Sequence, residues 1–342
     1  MTVTRYFEEI PATLAELGVA EAPGTVLVYD EVLEGRFARF TAMFDRRYPV
    51  EAGEGLKDLS GFGRHAESVL ALVGNASRAD TTVVAAGGGT VGDFSGFMAS
   101  VLKRGVRLVS VPTTWLAAID SAHGGKTALN VGGVKNQIGT FHPASEVLVL
   151  KPMLFAVPEP EARAACGELL KMAMLTGGPL FEGAAAVDGF GPEEMWALLP
   201  GAVAAKEAVV AEDPREETGR RQVLNLGHTF GHALEAHHGI SHGVAVGCGL
   251  RFAIEWSAHQ NRLEQSQAEQ LLAMIDDFPE FSRAALPDGI DSERLASLLD
   301  RDKKSLGPGR VQFVFLAAVG EPVLEAVSVS DVVEEAGRQG WL

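Results

Sequence analysis

The run Gly87-Gly88-Gly89-Thr90-Val91-Gly92 follows an apolar, β-branched stretch and opens an amphipathic one. G-x-G-x-x-G at a strand-to-helix junction suits a dinucleotide or phosphate. Glycines permit the tight turn and let backbone N–H groups approach a pyrophosphate at a helix N-terminus. Taken alone, the pattern also fits a purely structural turn. Two features depart from an ordinary dinucleotide loop: the run is not on the first strand, and Asp93 follows directly, where a pyrophosphate would disfavour a carboxylate. Asp93 is instead placed to accept bonds from ribose or nicotinamide groups. A second cluster lies at Asn225-Leu226-Gly227-His228-Thr229-Phe230-Gly231-His232, with His228 and His232 four apart on one helix face. Neutral imidazoles at that spacing can share a metal, usually zinc, with a carboxylate as third ligand and one position open for substrate. Thr229 after His228 excludes the zinc-protease motif. His237 and His238 read as hydrogen-bonded helix residues. Spacing leaves the third ligand open, with Glu168, one turn from Lys171, as a candidate.

Charge and composition bound the ligands these clusters could take. The chain has 342 residues and a formal charge of −16, which argues against a general nucleic-acid binder. Between Phe94 and Ser145 the only acid is Asp120, against Lys103, Arg104, Arg107, Lys126 and Lys135. A cationic segment in an acidic chain points to a focused anion site, or else to a solvated basic face. No secretory signal is visible in the first residues, and no window is apolar enough for a membrane span. Two cysteines, Cys166 and Cys248, form no disulfide framework, which fits a reducing cytoplasm.

The elements that must position these residues divide the chain. Strand patterns at 25–29, 81–86, 107–111 and 146–150 alternate with helical ones at 58–75 and 93–103, which predicts an α/β, Rossmann-like domain with a parallel sheet over residues 1–155. Prolines 152, 158 and 160 mark the boundary. Residues 156–342 read as mostly α-helical, with helices at 161–175, 193–212, 223–237, 242–260 and 265–276, a late strand at 311–317, and a last helix capped by Ser328 or Ser330. The expected active site lies in the cleft between the two domains.

Read together, ordered blocks resemble the dehydroquinate synthases, within the sugar phosphate cyclases. They are Gly87–Asp93, Arg104-Gly105, Pro112–Thr114, Asp120-Ser121, Gly124–Thr127, Lys135-Asn136, Gly167–Lys171, Arg221 with Asn225–His232, His242-Gly243 and Asp302–Lys304. The resemblance implies metal ligands Glu168, His228 and His242, with His232 becoming a substrate contact. It implies NAD along Asp30, Glu54, Lys57, Gly89, Thr90, Val91, Gly92, Asp93, Thr113 and Thr114, with Lys126 and Lys135 alongside. Substrate would meet Asp120, Lys126, Asn136, Lys171, Lys206, Arg221, Asn225, His232 and Lys304, chosen over Lys303. Arg104 would reach the site of a partner subunit in a homodimer.

The implied reaction converts 3-deoxy-D-arabino-heptulosonate 7-phosphate to 3-dehydroquinate and phosphate. NAD oxidises the substrate transiently beside a zinc or cobalt ion, phosphate leaves by elimination, the hydride returns, and an intramolecular aldol step closes the ring. Departures from the family pattern are Ala122-His123, one extra residue between Lys206 and Arg221, and Ala156 where a threonine is common. A sibling cyclase acting on sedoheptulose 7-phosphate or a hexose 6-phosphate is the first alternative. His232 and Arg221 speak against it, since Arg221 suits a substrate carboxylate. A metal-dependent polyol dehydrogenase, which would release NADH, is the second.

Overall fold

The protein is described from a computed structural model, over residues 2–301, 307 and 309–342. It forms two compact units, Met1–Pro158 and Glu159–Leu342.

In the first unit six strands pair in parallel: β1 (Val3–Phe7), β2 (Gly24–Asp30), β3 (Arg47–Val50), β4 (Thr81–Gly87), β5 (Arg107–Pro112) and β8 (Glu146–Leu150). Their spatial order is β1-β8-β5-β4-β2-β3. The central strands β2 and β4 are buried almost end to end, as continuous apolar runs covered on both faces must be. The edge strands β1 and β3 are partly exposed and mix polar with apolar residues. Chain order reverses between β2 and β4, which pair from Gly24↔Thr81 to Tyr29↔Ala86. In open parallel sheets ligands bind outside the carboxyl ends of the strands at such a switch point. Here those ends carry Asp30 and Gly87. A separate antiparallel hairpin, β6 (Lys126–Val131) and β7 (Val134–Phe141), turns at Gly132-Gly133, both in the left-handed region.

The second unit is mainly helical, with an antiparallel hairpin of β9 (Arg310–Ala318) and β10 (Glu321–Ser328). Phe230 stacks on Phe252 with ring centroids 4.0 Å apart, and Trp256, Phe313 and Trp341 pack edge-on around them. Ser328 caps the last helix, Val329–Gln339, reciprocally with Asp331. One expected element is divided. The helix anticipated over 223–237 breaks at Gly227 (φ 78), giving a 3-10 turn, Arg220–Asn225, and an α-helix, His228–His238, whose first residue is His228. Among the described residues no helix is long and apolar enough to cross a membrane.

Candidate dinucleotide and metal sites

The glycine run sits where β4 ends and the helix Gly89–Val101 begins. Its glycines do different jobs, and none needs a positive φ. A Cβ on Gly87 would lie 2.6 Å from the Cβ of Val91, so Gly87 is required for packing. Val91 is fully buried, which leaves only its backbone to reach a ligand. At Gly92 a Cβ would meet nothing within 4 Å, so that side of the helix start is open. Thr113 N–H donates to the carbonyl of Gly87 at 3.1 Å, and Thr114 packs against Gly88, so the exit of β5 is fastened to the turn.

The expected conflict at Asp93 is met by a buried cation. Lys57 Nζ lies 2.6 Å from Asp93 Oδ2 and donates to Asn136 Oδ1 at 2.5 Å, while only 3% exposed. Burial nevertheless raises the Asp93 carboxyl above its ordinary range; Lys57 opposes this, and Glu54 and Asp120 reinforce it. Glu54 accepts from Asn130 Nδ2 at 2.7 Å and has Lys135 Nζ at 3.9 Å. Thr90 Oγ accepts from Gly53 N–H at 3.2 Å. Asp120 lies in the short π-helical turn Ala117–Ser121, and Lys126 opens β6. His123 is buried and bonded to the carbonyl of Ala118 at 3.0 Å.

The cationic segment is partly structural. Lys103 donates to the carbonyls of Gly74 and Ala76, and Arg107 pairs with Glu146. Arg104 is exposed at the end of the glycine-run helix, with Lys103 and Arg104 both at positive φ (49° and 65°).

In the second unit, backbone contacts at glycines bring four ligand-type residues together. A Cβ on Gly243 would lie 2.0 Å from Ala164 O, and one on Gly167 would lie 2.3 Å from Gly243 O, so the helices Glu159–Thr176 and His242–His259 touch main chain to main chain. Gly231 meets Ala245 in the same way. Each contact has a site residue beside it in sequence: Glu168 after Gly167, His232 after Gly231, and His242 before Gly243. Glu168 is fully buried, with His228 Nε2 at 3.3 Å and His242 Nε2 at 3.4 Å from its Oε1. One ring nitrogen from each of His228, His232 and His242 lies within 4.8 Å of the other two.

The donor set fits a divalent metal. Lys171 forms an ion pair with Glu168, yet neither Glu168 oxygen accepts a hydrogen bond of normal geometry. Lys171 compensates the Oε2 side, and Oε1, turned toward the two imidazoles, is the oxygen left to share with a metal. The far nitrogens of the histidines are held: His228 Nδ1 by the carbonyl of Leu226 at 3.1 Å, and His242 Nδ1 by Glu235 Oε2 at 2.9 Å. Such partners fix the tautomer and present Nε2 for coordination. Burial, aided by the charge of Lys171, pushes His228 down to about 3, so it stays neutral. Burial opposes charge at Glu168 as well, but Lys171, His228 and His242 hold its carboxyl well below the usual range. At His242 burial is outweighed by Glu168 and Glu235, which push it up to about 9. Two imidazoles and a carboxylate suit zinc or cobalt.

Three buried cations lie on the Glu168 helix and the elements packed against it. Lys171, Lys206 and Arg221 are each at most 4% exposed, on elements that pack against one another. The Arg221 turn is fastened by Asp213, whose carboxylate accepts N–H bonds from Glu217, Thr218 and Arg221. Asn225, at the end of that turn, is half-buried. Lys303 and Lys304 lie outside the described residues. Sequence reasoning missed Asn130 and Glu235, which bond to site residues through side chains that no spacing rule singles out.

A 3-dehydroquinate synthase N-terminal family model matches residues 47–164, and a 3-dehydroquinate synthase C-terminal model matches 165–305. The 3-dehydroquinate synthase of Rhodospirillum rubrum is 38% identical over 287 residues, covering 80% of this chain and 73% of that protein. That of Xanthomonas oryzae pv. oryzae is 36% identical over 301 residues, covering 84% and 78%. Among solved structures, a 2-deoxy-scyllo-inosose synthase complexed with carbaglucose-6-phosphate, NAD+ and Co2+ superposes with a TM-score of 0.83 at 23% identity, over 98% of this chain and 96% of that one. A 2-epi-5-epi-valiolone synthase from Streptomyces hygroscopicus with NAD+ and Zn2+ bound gives 0.83 at 21%, over 99% and 96%. These two show the shared fold. With two family models end to end along most of its length, the chain belongs to the 3-dehydroquinate synthase family.

Proposed function

We propose that this chain is a 3-dehydroquinate synthase, a carbon–oxygen lyase that converts 3-deoxy-D-arabino-heptulosonate 7-phosphate to 3-dehydroquinate and phosphate. The observation that carries the reading is the buried Glu168 carboxylate, paired with Lys171 on one oxygen and facing His228 and His242 with the other. When bound, NAD+ would supply reversible oxidation of a secondary alcohol, and a zinc or cobalt ion would supply Lewis acidity toward vicinal oxygens.

The chain's residues bind and orient. Backbone N–H groups of Gly89, Thr90 and Val91, at the positive end of a helix, receive the pyrophosphate, and Gly92, whose N–H bonds to the Gly88 carbonyl at 3.0 Å, leaves the approach open. Asp30, at the switch point, serves the adenosine ribose. Asp93, Glu54 and Lys57, with Thr113, Thr114 and Lys135, line the path toward the nicotinamide. Glu168, His228 and His242 hold the metal. Lys171, Lys206, Arg221 and Lys126 bind the two anionic ends of the substrate, and Asp120, Asn136, Asn225 and His232 contact its hydroxyls. The burial of Lys171, Lys206 and Arg221 suits this role, because an anion in a low-dielectric site is held far more firmly than in water. Lys304 and the exposed Arg104, offered to a partner copy in a homodimer, complete the reading, and the enzyme is assigned to the cytoplasm.

A panel of sugar phosphates with product mass spectrometry tests the substrate. Heptulosonate phosphate should be consumed and sedoheptulose 7-phosphate and hexose 6-phosphates left unchanged. Arg221→Ala should weaken heptulosonate phosphate at least about tenfold, the scale of one lost charge-assisted hydrogen bond. Turnover of sedoheptulose 7-phosphate in preference to heptulosonate phosphate would overturn the assignment.

A further inference from the structure

Asn130 lies on β6, at the point where its pairing with β7 is irregular, between Leu129 and Val131. It is 8% exposed. Its side-chain Oδ1 accepts the backbone N–H of Asn136 at 2.9 Å. Its Nδ2 donates to Glu54 Oε2 at 2.7 Å and to the Glu54 carbonyl at 3.3 Å. Asn136 is in the left-handed region, at φ 56, inside a strand. Asn is among the non-glycine residues that adopt this region, and within a strand the conformation still needs partners to hold it. Asn130 holds its backbone, and Lys57, through Asn136 Oδ1, holds its side chain. Irregularities of this kind re-aim side chains at functional sites.

We propose that Asn130 is a positioning residue that fixes a substrate-side group, Asn136, and a dinucleotide-side group, Glu54, with one neutral amide. The roles of those two groups rest on the function proposed above. The residue type follows from the bonds, since an amide is a short uncharged side chain that carries its acceptor and its donor on separate atoms. An aspartate would still accept from Asn136 N–H but would set a second carboxylate against Glu54. Adding Glu54→Gln restores a donor–acceptor pair with the roles reversed.

The test compares the unaltered zinc-loaded enzyme, Asn130→Asp, Glu54→Gln, and the two substitutions combined. The readouts are kcat and KM for heptulosonate phosphate, NAD+ affinity by calorimetry, and thermal melting. Asn130→Asp should lower kcat by about 10- to 100-fold, the scale of a hydrogen bond to a charged group, with a smaller change in KM. NAD+ affinity should fall with it, and the double variant should recover at least about fivefold of the kcat. Unchanged kcat and NAD+ affinity, a lowered melting temperature alone, or a double variant whose loss equals the summed losses of Asn130→Asp and Glu54→Gln measured singly would overturn the proposal. Should Asn130→Asp fail to fold, hydrogen exchange at the Asn136 amide of the unaltered protein decides. Slow exchange supports the clamp, and exchange at the open-chain rate overturns it. A chain that binds no NAD+ and releases no phosphate fails the functional reading instead, and the exchange measurement stands apart from that outcome.

Discussion

Glu235→Gln isolates the support of a metal ligand from the ligand itself. The Glu235 carboxylate accepts from His242 Nδ1 at 2.9 Å, and His242 Nε2 faces Glu168 at 3.4 Å. The substitution keeps an acceptor of the same reach but removes its charge, so His242 stays oriented and becomes a weaker donor to the metal. Outer carboxylates of this kind are typically worth about 10- to 100-fold in metal affinity. The same range is about 1.4–2.8 kcal/mol, as expected for a charge-assisted bond. Glu235→Gln should fall near the tenfold end, and Glu235→Ala, which loses orientation as well, near the hundredfold end. The assay is a competition titration of metal-stripped protein with Co2+ and a chelator, followed by the visible cobalt absorption. Unchanged affinity in both variants, with melting temperatures intact, would show that the bond from His242 to Glu235 does not support coordination.

Three further outcomes follow from the site geometry. His242→Ala should lose cobalt, whereas His232→Ala should retain it and lose turnover; equal loss in both would make His232 a ligand. The glycine run should separate packing from ligand access. Gly87→Ala forces a Cβ against Val91 and should cost about 1–3 kcal/mol of stability. Gly92→Ala should leave melting unchanged or slightly raised while weakening NAD+ at calorimetric equilibrium, and equal NAD+ affinity in Gly92→Ala would remove the open face from the account. Burial pushes the thiols of Cys166 and Cys248 up to about 12. At pH 8, below that value, both are protonated, with a thiolate fraction of roughly one in ten thousand, so a disulfide reagent should titrate neither until denaturant is added. Rapid reaction of the native protein would contradict their burial.

The parts of the fold that could be read from the sequence are those where burial leaves a simple pattern. β2, β4, β5 and β8 are apolar runs because helices cover both sheet faces, and the start of the last helix was announced by Ser328. β1 and β3 escaped notice as short, half-exposed edge strands without alternation. The β6–β7 hairpin did carry a signal, Gly132-Gly133 between two valines, although β7 is exposed nearly throughout and offers no apolar face. The break at Gly227 was hidden because a glycine within a helical pattern is commonly tolerated. Spacing paired His228 with His232, and it could not supply Glu168 from a distant helix. The pairing of glycine with site residue at Gly167-Glu168, Gly231-His232 and His242-Gly243 was visible in the sequence, but its reason is the main-chain contact between helices, which only the fold shows. Asn130 and Glu235 act through side-chain hydrogen bonds that follow no helix or strand repeat, so the sequence carries no period for them.

The central claim is that heptulosonate phosphate is converted with release of phosphate and no net oxidation, as NAD+ used and restored within the site would allow. It is tested most directly by following inorganic phosphate and absorbance at 340 nm together, with heptulosonate phosphate in large excess over enzyme, NAD+ and zinc. Phosphate should rise in proportion to substrate consumed, with no steady increase in NADH. An NADH signal that grows with each turnover would contradict the account and make the chain a net dehydrogenase.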